Sequence, residues 1–323
     1  MNHGNVSPEI ARGLLDLQKS IEAAKIPPSK LDETLNIATW NIREFGRKRR
    51  SEAAIHYIAE ILGQFDLITL VELRDNLDDL QRVLRILGPY WRVIYNDAVK
   101  DPGGNRERVA FVYDKRAVVF NGFAAEGDAP RVKKGNEYLP VQSFWRAPYA
   151  ASFRAGNFDF VAVGVHIRWG DDLAARKGEI ALFADWISAM HEDAYGEDKD
   201  IIVMGDFNIP KLDDALYQAL TSKGLVVPKV LRKLTVGDRT VDGTNLGKNA
   251  RYDQIAHYAV DSDRQTRAGG VVDFHVSDAH IAKLFPGGMD REKFTYQMSD
   301  HLPLWIQVHT DNDANQLKQL IQG

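Results

Sequence analysis

Several apolar, strand-like segments of this chain end, or in one case begin, in residues that can bind a metal ion or transfer a proton. The polar residues at these positions are Asn41, Glu72, His166, Asp206, Asn208, Asp253, Asp300 and His301. Strand ends bring distant sequence positions to one rim of a sheet, where ligands usually bind. Carboxylate and amide oxygens suit a hard cation such as magnesium, manganese or calcium, whereas zinc favours histidine or cysteine at tighter spacing.

Two short motifs are the most specific of these signals. The Gly-Asp-Phe-Asn motif at residues 205–208 places two oxygen ligands on one side of a tight turn after a buried strand. The Ser-Asp-His motif at residues 299–301 puts an acid beside a base where a strand begins. A single Asp or Asn at a strand end is more often a turn former or a helix cap, so the prediction depends on the whole set.

The elements that must position these residues alternate between strand and helix patterns. Strands are predicted over residues 35–40, 66–73, 108–113, 117–121, 158–166, 201–205, 252–260, 271–276 and 304–310. Helices are predicted over residues 51–63, 77–87, 171–191 and 212–223, and loops over 97–106, 122–138 and 261–270. The pattern indicates one α/β domain over residues 35–310, an N-terminal helical extension over 1–34 and a C-terminal tail over 311–323.

The N-terminal extension carries the signals of an amphipathic helix. Ser7 is a candidate N-cap, and Pro8 follows at the first helical position. Apolar residues then recur at helical spacing, at Ile10, Leu14, Leu17 and Ile21. We expect this helix to pack on the main domain, with docking of a partner as the alternative.

Composition limits the classes of protein and partner. The chain has 323 residues, with 41 Lys and Arg against 45 Asp and Glu and a formal net charge of −4. A histone-like protein is therefore excluded, and a nucleic acid would have to be held by a local basic patch or through metal ions. The absence of cysteine excludes disulfides, cysteine nucleophiles and iron–sulfur clusters.

The apolar content is that of a globular protein without a membrane span. Hydrophobic residues make up 44% and charged residues 27%, which is enough apolar material to exclude disorder as the main state. No stretch approaches the roughly 18 apolar residues of a membrane span, and charged residues interrupt the first 30 positions. We expect a cytoplasmic protein with no membrane partner, monomeric by default, with secretion as the alternative.

The densest basic run is Arg47-Lys48-Arg49-Arg50, which together with Arg43 lies between the first strand and the first helix of the main domain. It adjoins the rim that carries Asn41, so it could bind backbone phosphates and make affinity dependent on salt. The alternative is a solvated, charged turn, which is the commoner role of such runs. The sequence leaves both open.

In their order along the chain, the motifs resemble those of the endonuclease/exonuclease/phosphatase superfamily, and in particular deoxyribonuclease I. The matching segments are residues 35–46, Glu72-Leu73-Arg74-Asp75, Glu107-Arg108, Arg146-Ala147-Pro148, Val165-His166, residues 205–208, Tyr252-Asp253 and residues 299–301. The resemblance implies a deoxyribonuclease I-like fold, a four-layer αββα sandwich of two mostly antiparallel sheets flanked by helices.

The resemblance also implies a role for each matched residue. The metal and phosphate cradle would consist of Glu72, Asn41, Asp206, Asn208 and Asp300. The groups around the scissile phosphate would be His166, His301, Glu107, Asp253 and Arg146. Among these, Glu107 would orient His166 and Asp253 would orient His301. Arg74 would contact the nucleic acid. Which histidine is base and which is acid stays open, as does the number of metal ions.

The implied function is metal-dependent hydrolysis of DNA phosphodiester bonds by an endonuclease with low sequence specificity. Magnesium is the expected ion, with manganese or calcium able to substitute or assist, and RNA is an alternative substrate. The chain departs from the family in two respects. It lacks the disulfides that family members often carry in long loops. Residues 104–106 also include no aromatic side chain, where the resemblance implies one that stacks in the minor groove of DNA.

Two other functions compete with a nuclease. One is a phosphodiesterase or phosphatase of the same superfamily that acts on a lipid head group, a nucleotide or an inositol phosphate. Residues 251–254 differ from the Trp-Cys-Asp-Arg type of segment of the inositol phosphatases, and no apolar membrane-insertion hairpin is visible. The other is a non-enzymatic binding module with the same fold. Such a module is expected to have lost some of the catalytic residues. All of those expected here are present, namely Glu72, His166, Asp206, Asn208, Asp253, Asp300 and His301.

Overall fold

Two β-sheets lie face to face in the computed structural model, which describes residues 1–140, 142–258, 264–311, 317 and 321. In chain order the strands are Thr34–Phe45 (β1), Leu67–Leu73 (β2), Trp91–Tyr95 (β3), Val99–Lys100 (β4), Arg106–Asp114 (β5), Val119–Glu126 (β6), Arg131–Lys134 (β7), Glu137–Pro140 (β8), Tyr149–Ala155 (β9), Phe158–His166 (β10), Ile201–Asp206 (β11), Thr235–Val236 (β12), Arg239–Thr240 (β13), Asp253–Tyr258 (β14), Gln265–Val271 (β15) and Leu304–His309 (β16). The helices are Pro8–Glu22 (α1), Glu52–Leu62 (α2), Asp78–Leu87 (α3), Leu173–Glu192 (α4), Ala215–Thr221 (α5), Lys229–Arg232 (α6), Asp278–Leu284 (α7) and Arg291–Gln297 (α8).

The larger sheet has the strand order β15-β16-β1-β2-β5-β3, with β4 paired to β5, and the smaller has the order β14-β11-β10-β9-β6. Pairing is parallel between β1 and β2 and between β10 and β11, and antiparallel between the other neighbours described. On one side α2 contacts α1 and α3, and α1 contacts α7, whereas α4 contacts α5 on the other. The predicted four-layer αββα sandwich is confirmed.

The interface between the sheets brings the strands of the site together. Strands β1 and β2 pack on β10 and β11. A Cβ on Gly164 in β10 would lie 2.3 Å from Val109 Cγ1 and 2.9 Å from Thr69 Cγ2. Glycine therefore lets the two sheets approach closely here. Trp40, fully buried, donates its indole N–H to the carbonyl of His301 at 2.8 Å, which ties the core to the start of the last strand.

The predicted N-terminal helix is present as α1. The Ser7 hydroxyl accepts the backbone N–H of Ile10 at 3.3 Å, as an N-cap does. Leu14, Leu17 and Ile21 are buried against α2 and α7, so the helix shares the hydrophobic core of the main domain. The division of the chain into an extension, a domain and a tail stays a prediction, and most of the tail lies outside the described residues.

The strand predicted over residues 271–276 is wrong. The structure instead forms β15 over Gln265–Val271, where a loop is predicted, while residues 259–263 lie outside the described part. Gly269 and Gly270 are typical of a loop in the sequence, but they lie in β15. A Cβ on Gly270 would lie 2.4 Å from the carbonyl oxygen of Thr235 in β12. The close approach of this backbone therefore requires glycine within β15. After Val271, the Asp273 carboxylate accepts the backbone N–H of Val276 at 2.9 Å and turns the chain.

The loop predicted over residues 122–138 is also wrong, because β6 extends to Glu126 and β7 and β8 form a hairpin. The residues of β7 and β8 are all exposed, so no alternation of apolar and polar residues marks them. Strands β3, β9, β12 and β13 and helices α6, α7 and α8 are present without having been predicted, and β4 lies within the loop predicted over residues 97–106. Strand β9 is buried on both faces and rich in alanine, a pattern for which periodicity gives no signal. Among the described residues, no helix combines the length and apolarity needed to cross a membrane.

Candidate active site

The predicted site residues meet at one edge of the sandwich. Strands β1, β2, β10 and β11 end there, and the antiparallel strands β5, β14 and β16 begin there. This topology brings together Asn41, Glu72, Glu107, His166, Asp206, Asp253 and His301. The expectation that strand ends would bring these residues to one rim is therefore confirmed, whereas their functional roles stay predictions.

A local irregularity of the larger sheet fixes the side chains of Asn41 and Glu72. The pairing register of β1 with β2 shifts after Asn41, as it does in a bulge. Three residues here have positive φ without being glycine, namely Arg43 (35°), Glu44 (47°) and Glu72 (66°). This costly backbone lets the Glu44 N–H donate to Glu72 Oε2 at 2.9 Å and the Arg43 N–H to Asn41 Oδ1 at 3.0 Å.

The Gly-Asp-Phe-Asn motif forms the tight turn that its sequence predicts. A Cβ on Gly205 would lie 1.9 Å from the carbonyl oxygen of Val165, so the parallel neighbour β10 requires glycine. Asn208 has φ 52°, and its backbone N–H donates to Asp206 Oδ1 at 2.8 Å. Its side-chain amide donates to the carbonyl of Ile167 at 2.8 Å. The turn thus orients Asp206 with its other oxygen toward the cleft.

Two carboxylates and an amide form the cradle predicted to hold a cation. The Asn41 Nδ2 atom lies 2.8 Å from Glu72 Oε1 and 3.0 Å from Asp206 Oδ2. Two anionic groups that share one amide repel each other, and oxygen donors of this kind suit a hard divalent ion placed between them. The carboxylates of Glu72 and Asp206 therefore fit the implied metal. The Asn41 amide oxygen, a predicted ligand, instead accepts the Arg43 N–H.

A second grouping of possible ligands overlaps this cradle. Asp206, Asp253 and His301 each offer one ligand atom, and these atoms lie within 4.8 Å of one another. Asp253 Oδ2, however, is paired with His301 Nδ1 at 2.8 Å and accepts the Thr244 hydroxyl at 2.6 Å. These bonds leave Asp206, together with Glu72, as the better placed carboxylates for a cation.

His301 forms one of two imidazole–carboxylate pairs in the site. Because Asp253 binds its Nδ1, the Nε2 atom faces the cleft, 3.7 Å from Asp206 Oδ2. Burial alone would lower the pKa of His301, but the carboxylates of Asp253 and Asp206 outweigh it and hold the pKa well above its usual value. A carboxylate behind the ring fixes the tautomer and favours the protonated form.

His166 forms the second pair. Its Nδ1 lies 2.9 Å from Glu107 Oε2, and its Nε2 lies 3.8 Å from Asp206 Oδ2 and 4.0 Å from Glu72 Oε1. Burial alone would raise the pKa of Glu107, but His166 and Arg146 outweigh it and lower the pKa to about 2. Burial and Arg146 lower the pKa of His166, yet Glu107 and Asp206 raise it above its usual value. The two imidazoles thus face Asp206 from different segments, His166 from the end of β10 and His301 from the segment before β16.

Arg146 is held beside the second pair by acidic neighbours. Its Nε lies 2.8 Å from Glu107 Oε2, and its Nη2 lies 3.0 Å from Asp101 Oδ2. The segment that carries it is fixed by the buried Glu179 of α4, which accepts the backbone N–H of Trp145 at 2.8 Å. Glu179 and Asp101 were not predicted, because only the tertiary structure brings them to this segment.

Arg74 and Asp300 occupy different positions relative to the cradle. Arg74 lies behind it, with Nη2 2.8 Å from Glu44 Oε1 and Nη1 3.6 Å from Glu107 Oε1, and its side chain is 12% exposed. Asp300 lies on the cleft side, with a side chain 44% exposed and Oδ2 3.7 Å from Arg43 Nη1. Arg74 therefore braces the acidic groups, whereas Asp300 is open to a ligand.

The predicted basic run is divided by the structure. Arg43 and Lys48 lie over the ring of Tyr296, at 4.1 and 5.1 Å from its centroid. Arg47, Lys48 and Arg49 are exposed. These residues form a basic surface, defined here as Arg43, Arg47, Lys48 and Arg49, beside the end of β1.

Arg50 is predicted to contact phosphate with its neighbours, and the structure contradicts this. Only 2% of the residue is exposed. Its Nη2 donates to the carbonyl oxygens of Ile42 at 2.8 Å and Arg43 at 2.6 Å, and its backbone N–H donates to Asp79 at 2.7 Å. Burial lowers the pKa of Arg50 to about 10. Arg50 satisfies carbonyls that the bulge leaves unpaired, so it supports the site from inside.

Two clefts meet at the cradle. The larger, of about 550 Å³, is lined by residues that include Asn41, Asp206, Asn208, Asp300 and His301. The smaller, of about 240 Å³, contains Glu107 and Arg146, and both clefts include Glu72 and His166. The larger cleft also has lining residues that sequence reasoning did not assign, among them Trp169, Asn245, Asn249 and Arg291. For Trp169, its position three residues after His166 is the feature of the sequence that could have indicated a place in the site.

Two relatives named as deoxyribonucleases are similar to this chain. A deoxyribonuclease from Thioalkalivibrio sp. (strain K90mix) is 29% identical over 298 residues, covering 86% of this chain and 72% of the relative. Human deoxyribonuclease-1 is 30% identical over 186 residues, covering 54% of this chain. The chain spans 61% of the length of the human protein.

A solved structure and a family model place the fold. A mannosyl-6-phosphatase from Bacteroides thetaiotaomicron VPI-5482 superposes with a TM-score of 0.54 at 18% identity, covering 85% of this chain and 98% of the phosphatase, and so shows the shared fold. The Endonuclease/Exonuclease/phosphatase family model matches residues 38–301, a range that includes both imidazole–carboxylate pairs and the cradle. The chain therefore belongs to the endonuclease/exonuclease/phosphatase family.

Proposed function

We propose that this chain hydrolyses DNA phosphodiester bonds with the aid of a divalent cation, as an endonuclease with low sequence specificity. One observation carries the proposal. The Nε2 atoms of His166 and His301 lie 3.8 and 3.7 Å from the same oxygen, Asp206 Oδ2, and each ring has a carboxylate behind it. Hydrolysis takes a proton from the attacking water and returns one to the leaving alkoxide, so two imidazoles around one phosphate suit it.

Glu72 and Asp206 would hold the cation, with Asn41, Asn208 and Asp300 around them. When bound, a magnesium ion, or manganese or calcium in its place, would offset negative charge that builds on the phosphoryl oxygens. Arg146 presents a second positive charge to the same phosphate from the smaller cleft. Glu107 and Asp253 would keep the imidazoles oriented. One imidazole would accept the proton of the attacking water, and the other would donate a proton to the leaving alkoxide.

The arrangement of the clefts favours a diester over a terminal phosphate. Both clefts are lined by Glu72 and His166, so a phosphate bound between these residues would have space for one substituent in each cleft. The exposed basic surface beside this edge suits the phosphates of a polymer. The deoxyribonuclease relatives favour DNA as that polymer. A smaller phosphoester is the second candidate, because a named phosphatase has the same fold.

Supercoiled plasmid tests the proposal directly. Purified protein with magnesium is expected to convert it to nicked and then linear DNA, and EDTA is expected to abolish the conversion because the cradle then holds no cation. Gel electrophoresis over time separates the three forms. A plasmid that stays intact, while a small phosphodiester or sugar phosphate is hydrolysed, would contradict the DNA assignment and support the second candidate.

The exposed basic surface gives a separate prediction about salt. Replacing Arg47, Lys48 and Arg49 with serine is expected to weaken DNA binding and to flatten its salt dependence, by about 0.9 in the logarithmic slope per lost phosphate contact. Arg50 is left intact because its burial makes it structural. Fluorescence anisotropy at several salt concentrations measures the slope.

The control for this prediction changes the same number of charges elsewhere. Lys19, Lys25 and Lys30 lie in and after α1, before the amino end of β1, and their side chains are 61–74% exposed. Their replacement with serine is expected to leave the slope unchanged. An equal loss of slope in both triple variants would show that overall charge, and not this surface, governs binding.

A further inference from the structure

The rim of the larger cleft carries an exposed tryptophan. Trp169 is 64% exposed, although the neighbouring lining residues are mostly amides, carboxylates and imidazoles. Leaving an indole in water forfeits about 25 cal/mol for each Å² of apolar surface that could be buried. Single exposed aromatics are common on protein surfaces, so the argument depends on the position of this indole at the mouth of a polar cleft and on how it is supported.

The indole of Trp169 is held in place from behind. The guanidinium of Arg176 lies 5.1 Å from the ring and is itself 4% exposed. Arg176 is fixed in turn, because Nη1 donates to the carbonyl of Asn208 at 3.1 Å and Nη2 donates to the carbonyl of Gly170. The same turn that orients Asp206 thus anchors the support of the tryptophan. A ring that is already ordered loses little conformational entropy when a ligand stacks on it.

A second aromatic connects Trp169 with the reacting groups. The Tyr252 ring meets Trp169 edge to face, with centroids 5.4 Å apart and an interplanar angle of 86°. On its other side, Tyr252 lies 5.8 Å from the His301 ring. Tyr252 thus contacts both Trp169 and His301, and all three rings line the larger cleft. A nucleotide next to the proposed phosphate could therefore lie against the indole.

We propose that Trp169 is a stacking platform for a nucleobase adjacent to the scissile phosphate, so that the enzyme binds DNA with an unpaired base at the cut site. The inference rests on the proposed nuclease function and adds the part of the substrate that is recognised. Every base has a π-face, so stacking contributes to binding without reading sequence. The faces of paired bases are already covered by their neighbours in a duplex, so this platform favours single-stranded or locally opened DNA.

The test measures binding in the His301→Ala background, so that no cleavage is needed. Two oligonucleotides of equal length are compared by fluorescence anisotropy, one with normal bases and one with abasic residues throughout. Trp169→Ala is expected to weaken binding of the normal strand by about ten- to a hundredfold and to leave the abasic strand unchanged. Trp169→Phe is expected to restore most of the affinity, whereas Trp169→Leu, which keeps apolar volume without a π-face, is not.

The controls separate stacking from folding and from the nuclease proposal. Tyr195 is 98% exposed and lies outside the residues lining both clefts, so Tyr195→Ala is expected to change neither affinity. The proposal is overturned if Trp169→Ala loses the same affinity for the normal and the abasic oligonucleotide, or if Trp169→Leu keeps full affinity for the normal one. If wild-type protein cuts neither plasmid nor oligonucleotide, the nuclease proposal fails, and that result is read independently of the binding comparison.

Discussion

Replacement of His301 with alanine is expected to lower the rate of DNA hydrolysis by about a thousandfold or more, while the fold and the affinity for DNA remain. The Nε2 of this ring faces Asp206 in the cleft, and Asp253 holds the opposite nitrogen. His166 belongs to the other pair and cannot perform both proton transfers at once. Single-turnover cleavage of a labelled oligonucleotide measures the rate, and anisotropy at the same protein concentrations measures binding.

His309 provides the matched control for this prediction. It is an exposed histidine at the carboxyl end of β16, the strand that follows His301, where Thr34 of β1 pairs with it. His309→Ala is expected to cleave DNA at the wild-type rate. Turnover close to that of the wild type in His301→Ala would reject its assigned role, and a collapse of the circular dichroism spectrum would show that the ring stabilises the fold instead.

The strand ends could be predicted because each combines a run of apolar residues with a polar residue where the run stops. Glu72 and Asp206 follow such runs in β2 and β11, and parallel neighbours place them on one rim. The pairing of the two sheets could not be predicted in this way. Only the resemblance to a known family indicates it, since no local pattern relates β1 to β11, which lie far apart in the sequence.

The incorrect predictions have one cause. The conformation and exposure of a residue depend more on its neighbours in space than on its neighbours in sequence. Arg50 stands in a basic run, but the bulge between Asn41 and Phe45 leaves carbonyls that need a buried donor, and Arg50 supplies it. Gly270 resembles a loop residue until Thr235 is placed against it. The role proposed for Trp169 could not be predicted, because a short polar segment does not show which of its side chains will be exposed.

The cradle itself is arranged around an excess of negative charge. Glu72 and Asp206 both bind the Nδ2 of Asn41, and the carboxylates of Glu107 and Asp253 stand behind the two imidazoles. Each carboxylate needs a compensating proton, imidazolium or cation. Each imidazole pairs directly with one of the outer carboxylates, Glu107 or Asp253. The proposed divalent cation would compensate the inner pair, Glu72 and Asp206.

Glu72→Gln is therefore expected to remove both DNA cleavage and the stabilisation of the protein by magnesium. A cation that binds only the folded state raises the free energy of unfolding by about 2.7 kcal/mol at a hundred times its Kd. Without metal, the variant is expected to unfold at the wild-type temperature or higher, because the repulsion between Glu72 and Asp206 is relieved. Differential scanning calorimetry with magnesium and with EDTA measures both effects.

The change in Tm of Glu72→Gln in the absence of metal shows whether Glu72 is a metal ligand or an acid that stabilises the fold. Glu72 Oε2 also accepts the N–H of Glu44 at 2.9 Å, and glutamine keeps an oxygen for that bond. Loss of charge alone thus leaves the bulge intact. Glu33→Gln, with a side chain 60% exposed just before β1, is the charge-matched control and is expected to keep the full magnesium-dependent rise in Tm. If Glu72→Gln shows the same rise as the control, the cation lies elsewhere, and the group formed by Asp206, Asp253 and His301 becomes the better candidate for its site.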